Sequence, residues 1–442
     1  MPSLPRLSPV RPSPPLTFCI GSLSLVAVGT VLLALPIAAQ PGRHTTFLDA
    51  LFTATSAASV TGLSTLDTPT HWGPFGQAVI VLLIQLGGFG YMTVTTALVL
   101  LAGRRMTLAD EALLAQSVGA SGAGQARALA VRVAIFTFLA EAGGTLFLAP
   151  RLLVDMPPAE AISLAIFWSV SAFNNSGFHG LAHYHGDPLV LLPIATLVVL
   201  GGLSYVAVED LASRRQHARL TLDTRLSLWG TGLLLVLGTL GLLIFEWRNP
   251  ATFGALAPGT AVLNAFFHSV SVRTAGFAAI DIGALSEASL FLLILLMLVG
   301  GAAGSTAGGL KIQTVALLGA ATVAALRGRQ DVELFGRRAR PADLLRAVAV
   351  TVLSAAVVIL TAFGLSLSDP FGFQQDLFEA VSAFCTVGLT TGITPQLSPS
   401  GRVTLIIAML IGRIGPVTLL LALLARERPS TVRWPEEAVR VG

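Results

Sequence analysis

The chain has 442 residues, 54% of them hydrophobic and only 11% charged, with a mean hydropathy of +0.79, against the roughly 25% charged residues of soluble domains. That balance excludes a soluble globular enzyme. Uncharged stretches at 17–39, 74–103 and 188–208 each exceed the ~20 residues that a helix needs to cross ~30 Å of hydrocarbon, so the chain reads as a polytopic helical membrane protein. Its net charge is +4 and its pI 9.7. Nucleic acid is nevertheless not the implied partner, because the basic residues stand in short loops between apolar spans, where membrane topology accounts for them.

Residues 1–16 carry six prolines and two arginines and read as a disordered cytoplasmic tail. Hydropathy then places spans at 17–39, 74–103, 126–150, 188–212, 226–247, 288–326, 346–368 and 403–425. These eight fall in pairs, and within each pair lies a further apolar stretch of about a dozen residues, too short to cross: 49–60, 161–174, 261–272 and 376–386. Irregular backbone at membrane depth survives only if buried in protein or lining water, so four half-buried loops imply a central cavity. The loops on the other side hold 20 of the 27 basic residues, which makes that side cytoplasmic. The half-helix side has four arginines, Arg43, Arg151, Arg248 and Arg402, against twelve acids. An acidic outer mouth suits a cation.

The short stretches repeat. Each has a phenylalanine ten positions before a glycine: Phe52 and Gly62, Phe167 and Gly177, Phe266 and Gly276, Phe378 and Gly388. Serine stands six before the glycine in three copies, as Ser56, Ser171 and Ser382, with Val270 in the third. One unit of helix, half-helix, loop and helix therefore occurs four times in the same sense, which puts the repeat axis along the membrane normal. The half-helices aim partially negative C-terminal ends at the cavity, as a cation site requires. Glycine accepts positive φ and lets successive carbonyls replace an ion's hydration shell. The implied ligands are the backbones of Val60, Thr61, Gly62, Asn175, Ser176, Gly177, Thr274, Ala275, Gly276, Thr386, Val387 and Gly388.

At these loops, Ser-Val-Thr-Gly-Leu (59–63), Asn-Asn-Ser-Gly-Phe (174–178), Arg-Thr-Ala-Gly-Phe (273–277) and Thr-Val-Gly-Leu-Thr-Thr-Gly (386–392), the chain resembles the Trk/Ktr/HKT superfamily of potassium transporters. The resemblance runs from residue 17 to the C-terminus and is strongest to the Ktr-type membrane subunit, on the eight spans and the ending Trp434-Pro435-Glu436-Glu437 through Gly442. It implies an all-α membrane fold of four pore repeats, at 17–103, 126–212, 226–326 and 343–426, with a cytoplasmic tail at 427–442. It further implies K+ uptake, because Gly62 stands where Na+-passing members tend to carry serine. A homodimer and a cytosolic ring of nucleotide-binding regulatory subunits are the partners it implies. It implies K+ as the transported ion and Na+ as a candidate activator, with no cofactor expected in the chain. The expected location is the cytoplasmic (inner) membrane, with both termini in the cytoplasm. A Na+-coupled or Na+-permeable transporter of the same fold is the alternative.

The sixth span, 288–326, would measure about 58 Å as one helix and must break. The break is legible at Gly300, Gly301, Gly304, Ser305, Thr306, Gly308 and Gly309, a small-residue run that the resemblance implies is an intramembrane gate, extending to Lys311. A phosphate-binding loop would need Gly-Lys-Ser/Thr, whereas Leu310 and Lys311 follow Gly309. A helix-packing face of small residues is the alternative. Arg413, in the middle of the last span, costs at least ~2.5–3.5 kcal/mol there, and its five donors suit the carbonyls of a broken helix. It is expected to hold the gate shut, with a structural pair to an acid such as Glu141 as the other reading. Arg273 is expected to brace its loop through an acid. His179, His183, His185 and Asp187 follow the second loop and read as a polar turn rather than a metal site. Cys19 and Cys385 offer neither a disulfide framework nor a metal cluster. The chain carries no nucleophile–base constellation, so an enzyme is not expected.

Overall fold

The structure is a computed structural model that describes residues 14–89, 123–213 and 220–415. The expected C-terminal tail, residues 1–13 of the N-terminal one, and the parts of the second and eighth spans beyond 89 and 415 lie outside the described residues; residues 14–16, expected in that tail, already belong to a helix. The chain is helical, with helices α1 Pro14–Ala34, α2 Phe47–Ala58, α3 Thr68–His71, α4 Pro74–Phe89, α5 Ala123–Leu152, α6 Pro158–Phe173, α7 Pro188–Gly202, α8 Tyr205–Ser213, α9 Leu222–Glu246, α10 Pro258–Ser271, α11 Glu287–Leu298, α12 Ile312–Leu326, α13 Pro341–Ser368, α14 Phe373–Phe384 and α15 Pro399–Ile414. A two-residue hairpin, β1 Glu333–Leu334 with β2 Arg337–Arg338, follows α12.

The starts are set locally. Pro158, Pro188, Pro258, Pro341 and Pro399 each occupy a first helical position, where the missing N–H costs nothing. Thr46, Asp187, Thr221 and Ser398 accept the free N–H groups that follow them.

The packing is inverted relative to a soluble protein. Long helices turn large apolar side chains outward, with Phe147 at 75% exposure and Ile244 at 74%, which only hydrocarbon solvates at no cost. The interior holds the short helices α2, α6, α10 and α14, rich in buried alanine, serine and threonine. Each short helix packs on the helix before it, and successive units meet through α4 with α6, α7 with α10, and α11 with α14. The last unit returns to the first through α15 against α2. The contacts run in a closed circuit.

Among the described residues, Val131–Leu152, Leu222–Glu246 and Pro341–Ser368 are long and apolar enough to cross a membrane alone. The stretch read as one span at 188–212 is not straight: α7 and α8 meet at 97°. The cause is local to Gly201 and Gly202, whose carbonyls take the N–H groups of Thr306 (3.2 Å) and Ala302 (3.1 Å) instead of continuing the helical ladder. The stretch 288–326 breaks as expected, with α11 ending at Leu298 and α12 starting at Ile312. The neck of the intervening segment is tied by Gly300 N–H to the Leu310 carbonyl (2.9 Å) and by Ile312 N–H to that of Gly301 (3.2 Å).

Candidate ion site

Each short helix ends in a tight loop whose second residue before the glycine has positive φ: Val60 at 59°, Asn175 at 60°, Thr274 at 70° and Thr386 at 51°. Three of these are β-branched, for which the left-handed region is strained. Strain of that kind persists only where the surroundings over-determine it, and it clusters at functional sites.

The loops converge on one another in ring order. A Cβ on Gly62 would lie 2.7 Å from Gly177 N, one on Gly177 2.4 Å from Gly276 C, one on Gly276 2.3 Å from Val387 O, and one on Gly388 2.2 Å from Thr61 O. Glycine is required at these places because each loop's backbone rests on the next. The ring closes from the fourth loop to the first, as the helix circuit does.

The serines hold the loops. Gly62 N–H donates to Ser56 Oγ (3.0 Å) and Gly388 N–H to Ser382 Oγ (3.2 Å). In the third copy the register is one residue shorter than the repeat pattern implied. Phe267, not Phe266, is fully buried, and Ser271, not residue 270, reaches the loop by donating to the Phe277 carbonyl (2.6 Å).

The second loop differs in another way. Its serine, Ser171, donates to the Ser176 carbonyl, which also accepts from Phe178 N–H (3.0 Å). Gly177 lies outside the left-handed region that Gly62, Gly276 and Gly388 occupy. A trans peptide points its N–H and C=O in opposite directions. The Ser176–Gly177 peptide is therefore reversed relative to its counterparts in loops one and four, and the Ser176 carbonyl, expected to face the cavity, is turned to its own half-helix.

The segment between α11 and α12 lies against this ring. Thr306 Oγ1 meets the Asn175 amide at 2.9 Å, both residues being almost fully buried. Two residues on, a Cβ at Gly308 would lie 2.1 Å from Thr386 Oγ1 and 2.5 Å from the Cys385 carbonyl. Loops two and four stand opposite in the ring, so a stretch of three residues that touches both crosses the axis. Arg413 Nη1 donates to the Thr306 carbonyl (2.7 Å) and Nη2 to that of Gly87, while Lys311 Nζ donates to Ala307. The sequence-predicted residues 300–311 and 413 are thus brought together with the loops. Glu141 accepts instead from Asn174 Nδ2 (3.1 Å).

Sequence reasoning missed the side chains that brace the outer part of each loop. Glu379, fully buried, accepts from Thr390 Oγ1 (2.6 Å), Thr391 N–H (2.9 Å) and Thr394 Oγ1 (2.7 Å). His268 Nε2 accepts from Ala279 N–H (3.1 Å), and Trp168 Nε1 donates to His179 Nδ1 (3.1 Å). All three follow a buried phenylalanine of the short helix, which is the signal that could have found them. In the first copy Asp49 does this work, accepting from Thr65 Oγ1 (3.0 Å) and from Arg402 Nη1 (2.7 Å). Arg273 departs from expectation: its hydrogen-bond partner among the described residues is the Thr231 hydroxyl (3.3 Å), not an acid. Asp187 caps α7 and pairs with Arg151, and His183 packs edge-on against Tyr184. Outside the spans, His71 touches Thr45 Oγ1 (2.9 Å), and burial, with Arg43 nearby, lowers its pKa against the opposing pull of Asp49.

A ring of buried backbone loops enclosed by lipid-facing helices is the interior of a multi-pass membrane transporter, not of an enzyme. The chain belongs to the TrkH family of cation transport proteins, matching it over residues 23–434. It is 37% identical over 434 residues to the Ktr system potassium uptake protein B of Vibrio alginolyticus, covering 97% of this chain and 95% of that one. It is 35% identical over 454 residues to the potassium/sodium uptake protein NtpJ of Enterococcus hirae, covering 99% of this chain and 98% of that one. The crystal structure of the potassium transporter TrkH from Vibrio parahaemolyticus has the same fold, with a TM-score of 0.72, 19% identity, and coverage of 95% of this chain and 86% of that one.

Proposed function

We propose that the chain takes up K+ through a pore among four repeats with eight spans, that the glycine ring is its selectivity filter, and that residues 300–311 with Arg413 are its gate. The observation that carries this reading is the closed ring of Gly62, Gly177, Gly276 and Gly388 with a three-residue stretch crossing beneath it. Backbone carbonyls of residues 60–61, 175, 274–275 and 386–387 take the place of an ion's water shell. Full-length relatives named for potassium uptake support K+ as the ion.

Thr306 and Gly308 occlude the axis, and Arg413 fixes that position by donating to Thr306 while holding a cation's repulsion in the pore. Opening withdraws the segment from loops two and four. The exposed arginines of the 333–338 hairpin face the cytosol in this reading and offer a docking surface for a regulatory ring, with the chain itself a homodimer in the inner membrane. A second reading, Na+ passage by the same pore, draws on the relative named for both ions.

The test is Gly62→Ser in purified protein reconstituted into vesicles, with K+ and Na+ fluxes measured separately. The added Cβ meets Gly177 N at 2.7 Å in a residue of φ +96°, so the K+ preference should fall. Equal selectivity in variant and parent refutes the filter, and a parent that carries Na+ as well as K+ favours the second reading.

A further inference from the structure

The second loop is the odd member of the ring in its central peptide, to which its glycine's φ belongs, and separately in its left-handed residue. Its central peptide is reversed, its glycine is outside the left-handed region, and its left-handed residue is an asparagine whose side chain contacts the crossing segment. The other three left-handed residues are β-branched, whose own preference opposes that region, so their surroundings hold them there. Asparagine tolerates the region at little cost, so loop two needs no such over-determination by its surroundings. What fixes it is its partners. The amide orientation that pairs both polar atoms of Asn175 turns its Oδ1 to the Thr306 hydroxyl (2.9 Å) and to Gly202 N–H (3.3 Å), and Nδ2 to the Val198 carbonyl (3.1 Å). Two of the three partners belong to α7 beside its break, and the third belongs to the crossing segment.

We propose that Asn175 and Thr306 are positioning residues that couple the segment to the ion site. While Thr306 sits on Asn175, the Ser176–Gly177 peptide stays reversed and the site lacks one inward carbonyl. When Thr306 leaves, the peptide turns over and the fourth wall of the site is completed. The pore then has two closures driven by one movement, a plug beneath the ring and an incomplete ion site within it. A buried hydrogen bond shared between a plug and a coordinating loop is the bistable element that such coupling requires.

This inference rests on the ring being the ion site, and its test separates the two. K+ and Na+ binding is measured calorimetrically on the purified full chain, a readout that does not depend on flux. Thr306→Val keeps the shape and removes the hydroxyl, and it should bind K+ about tenfold more tightly than the parent, the scale of one uncharged hydrogen bond. Thr306→Ser keeps the hydroxyl and should match the parent. Asn175→Thr installs the residue that loops three and four carry at this place. It should give the same gain as Thr306→Val, and the double variant should gain nothing further, the signature of a shared interaction. Should Thr306→Val fail to fold, Asn175→Thr alone decides.

The coupling is overturned if either single variant binds K+ no more tightly than the parent, or if the two gains add. Gly62→Ser distinguishes the underlying reading. If it weakens K+ binding while Thr306→Val changes nothing, the ring stands and the coupling falls. If Gly62→Ser leaves K+ binding untouched, the ring is not the ion site and both fall.

Discussion

Arg402 Nη1 donates to Asp49 Oδ1 at 2.7 Å across 353 residues of sequence, joining the start of the last helix to the first short helix. The contact lies where the ring closes, and Asp49 is only 6% exposed. Arg402 also donates to the carbonyls of Leu397 and Pro395, so the guanidinium fork serves three acceptors on two units.

Arg402→Ala leaves a buried carboxylate with hydroxyl partners alone. The expected cost is about 2–4 kcal/mol, read as a lower thermal unfolding temperature of the purified protein. Arg402→Lys should recover only part of it, because a single ammonium cannot reproduce the fork. Equal unfolding temperatures for Arg402→Ala and the parent would show that the outer closure contributes nothing to stability.

Arg413 tests the proposed gate. Arg413→Ala removes two charge-assisted hydrogen bonds from the Thr306 and Gly87 carbonyls together with a positive charge in the proposed pore, and resting K+ flux should rise about tenfold. Arg413→Lys should lie between, keeping the charge without the fork. Wild-type flux in both well-folded variants would remove Arg413 from the gate.

Close packing gives a stability prediction that is independent of transport. A Cβ on Gly412 would sit 1.8 Å from the Phe384 carbonyl, whereas one on Gly232 meets nothing within 4 Å. Gly412→Ala should destabilise by about 1–3 kcal/mol, and Gly232→Ala should be neutral or gain up to about 1 kcal/mol from helix propensity. Thermal unfolding of the pair checks the ranking, and the reverse order would contradict the seating of α15 on the end of α14.

His71 supplies a pH dependence. Burial, aided by Arg43, lowers its pKa from the ordinary 6.5, so the unfolded chain takes up the proton first. Stability from this group is complete above the ordinary value and declines as pH falls below it. His71→Gln should flatten the fall in unfolding temperature as pH drops below the ordinary value of 6.5. An unchanged slope would assign the acid sensitivity elsewhere.

Much of the fold was legible because membranes leave few options. Hydrocarbon forces long apolar runs to be helices, and the break in 288–326 followed from length alone. The glycines were legible because a close backbone approach admits no other residue, and Arg413 because a buried cation must find acceptors. The bend at 203–204 was not, since its cause is a carbonyl contact from residues about 100 positions later. The shorter third copy escaped because adjacent phenylalanines, Phe266 and Phe267, fit either register. The braces escaped because the four copies solve one problem with different chemistry: a carboxylate at Asp49 and at Glu379, an imidazole at His268, an indole at Trp168. Arg273 was expected to seek an acid, yet a hydroxyl from Thr231 sufficed.

The closed circuit also imposes an order on biogenesis. In the proposed four-repeat pore, the last wall cannot join the first until it has left the ribosome. At roughly 5–20 residues per second, the 353 residues between Asp49 and Arg402 take roughly 20–70 s to synthesise. Through that interval the first three loops hold polar backbone inside the bilayer without the neighbour that completes their enclosure, a state hydrocarbon penalises. Nascent chains halted before residue 388 should therefore remain with the insertion machinery or fall to quality-control proteolysis, whereas chains reaching Arg402 escape both.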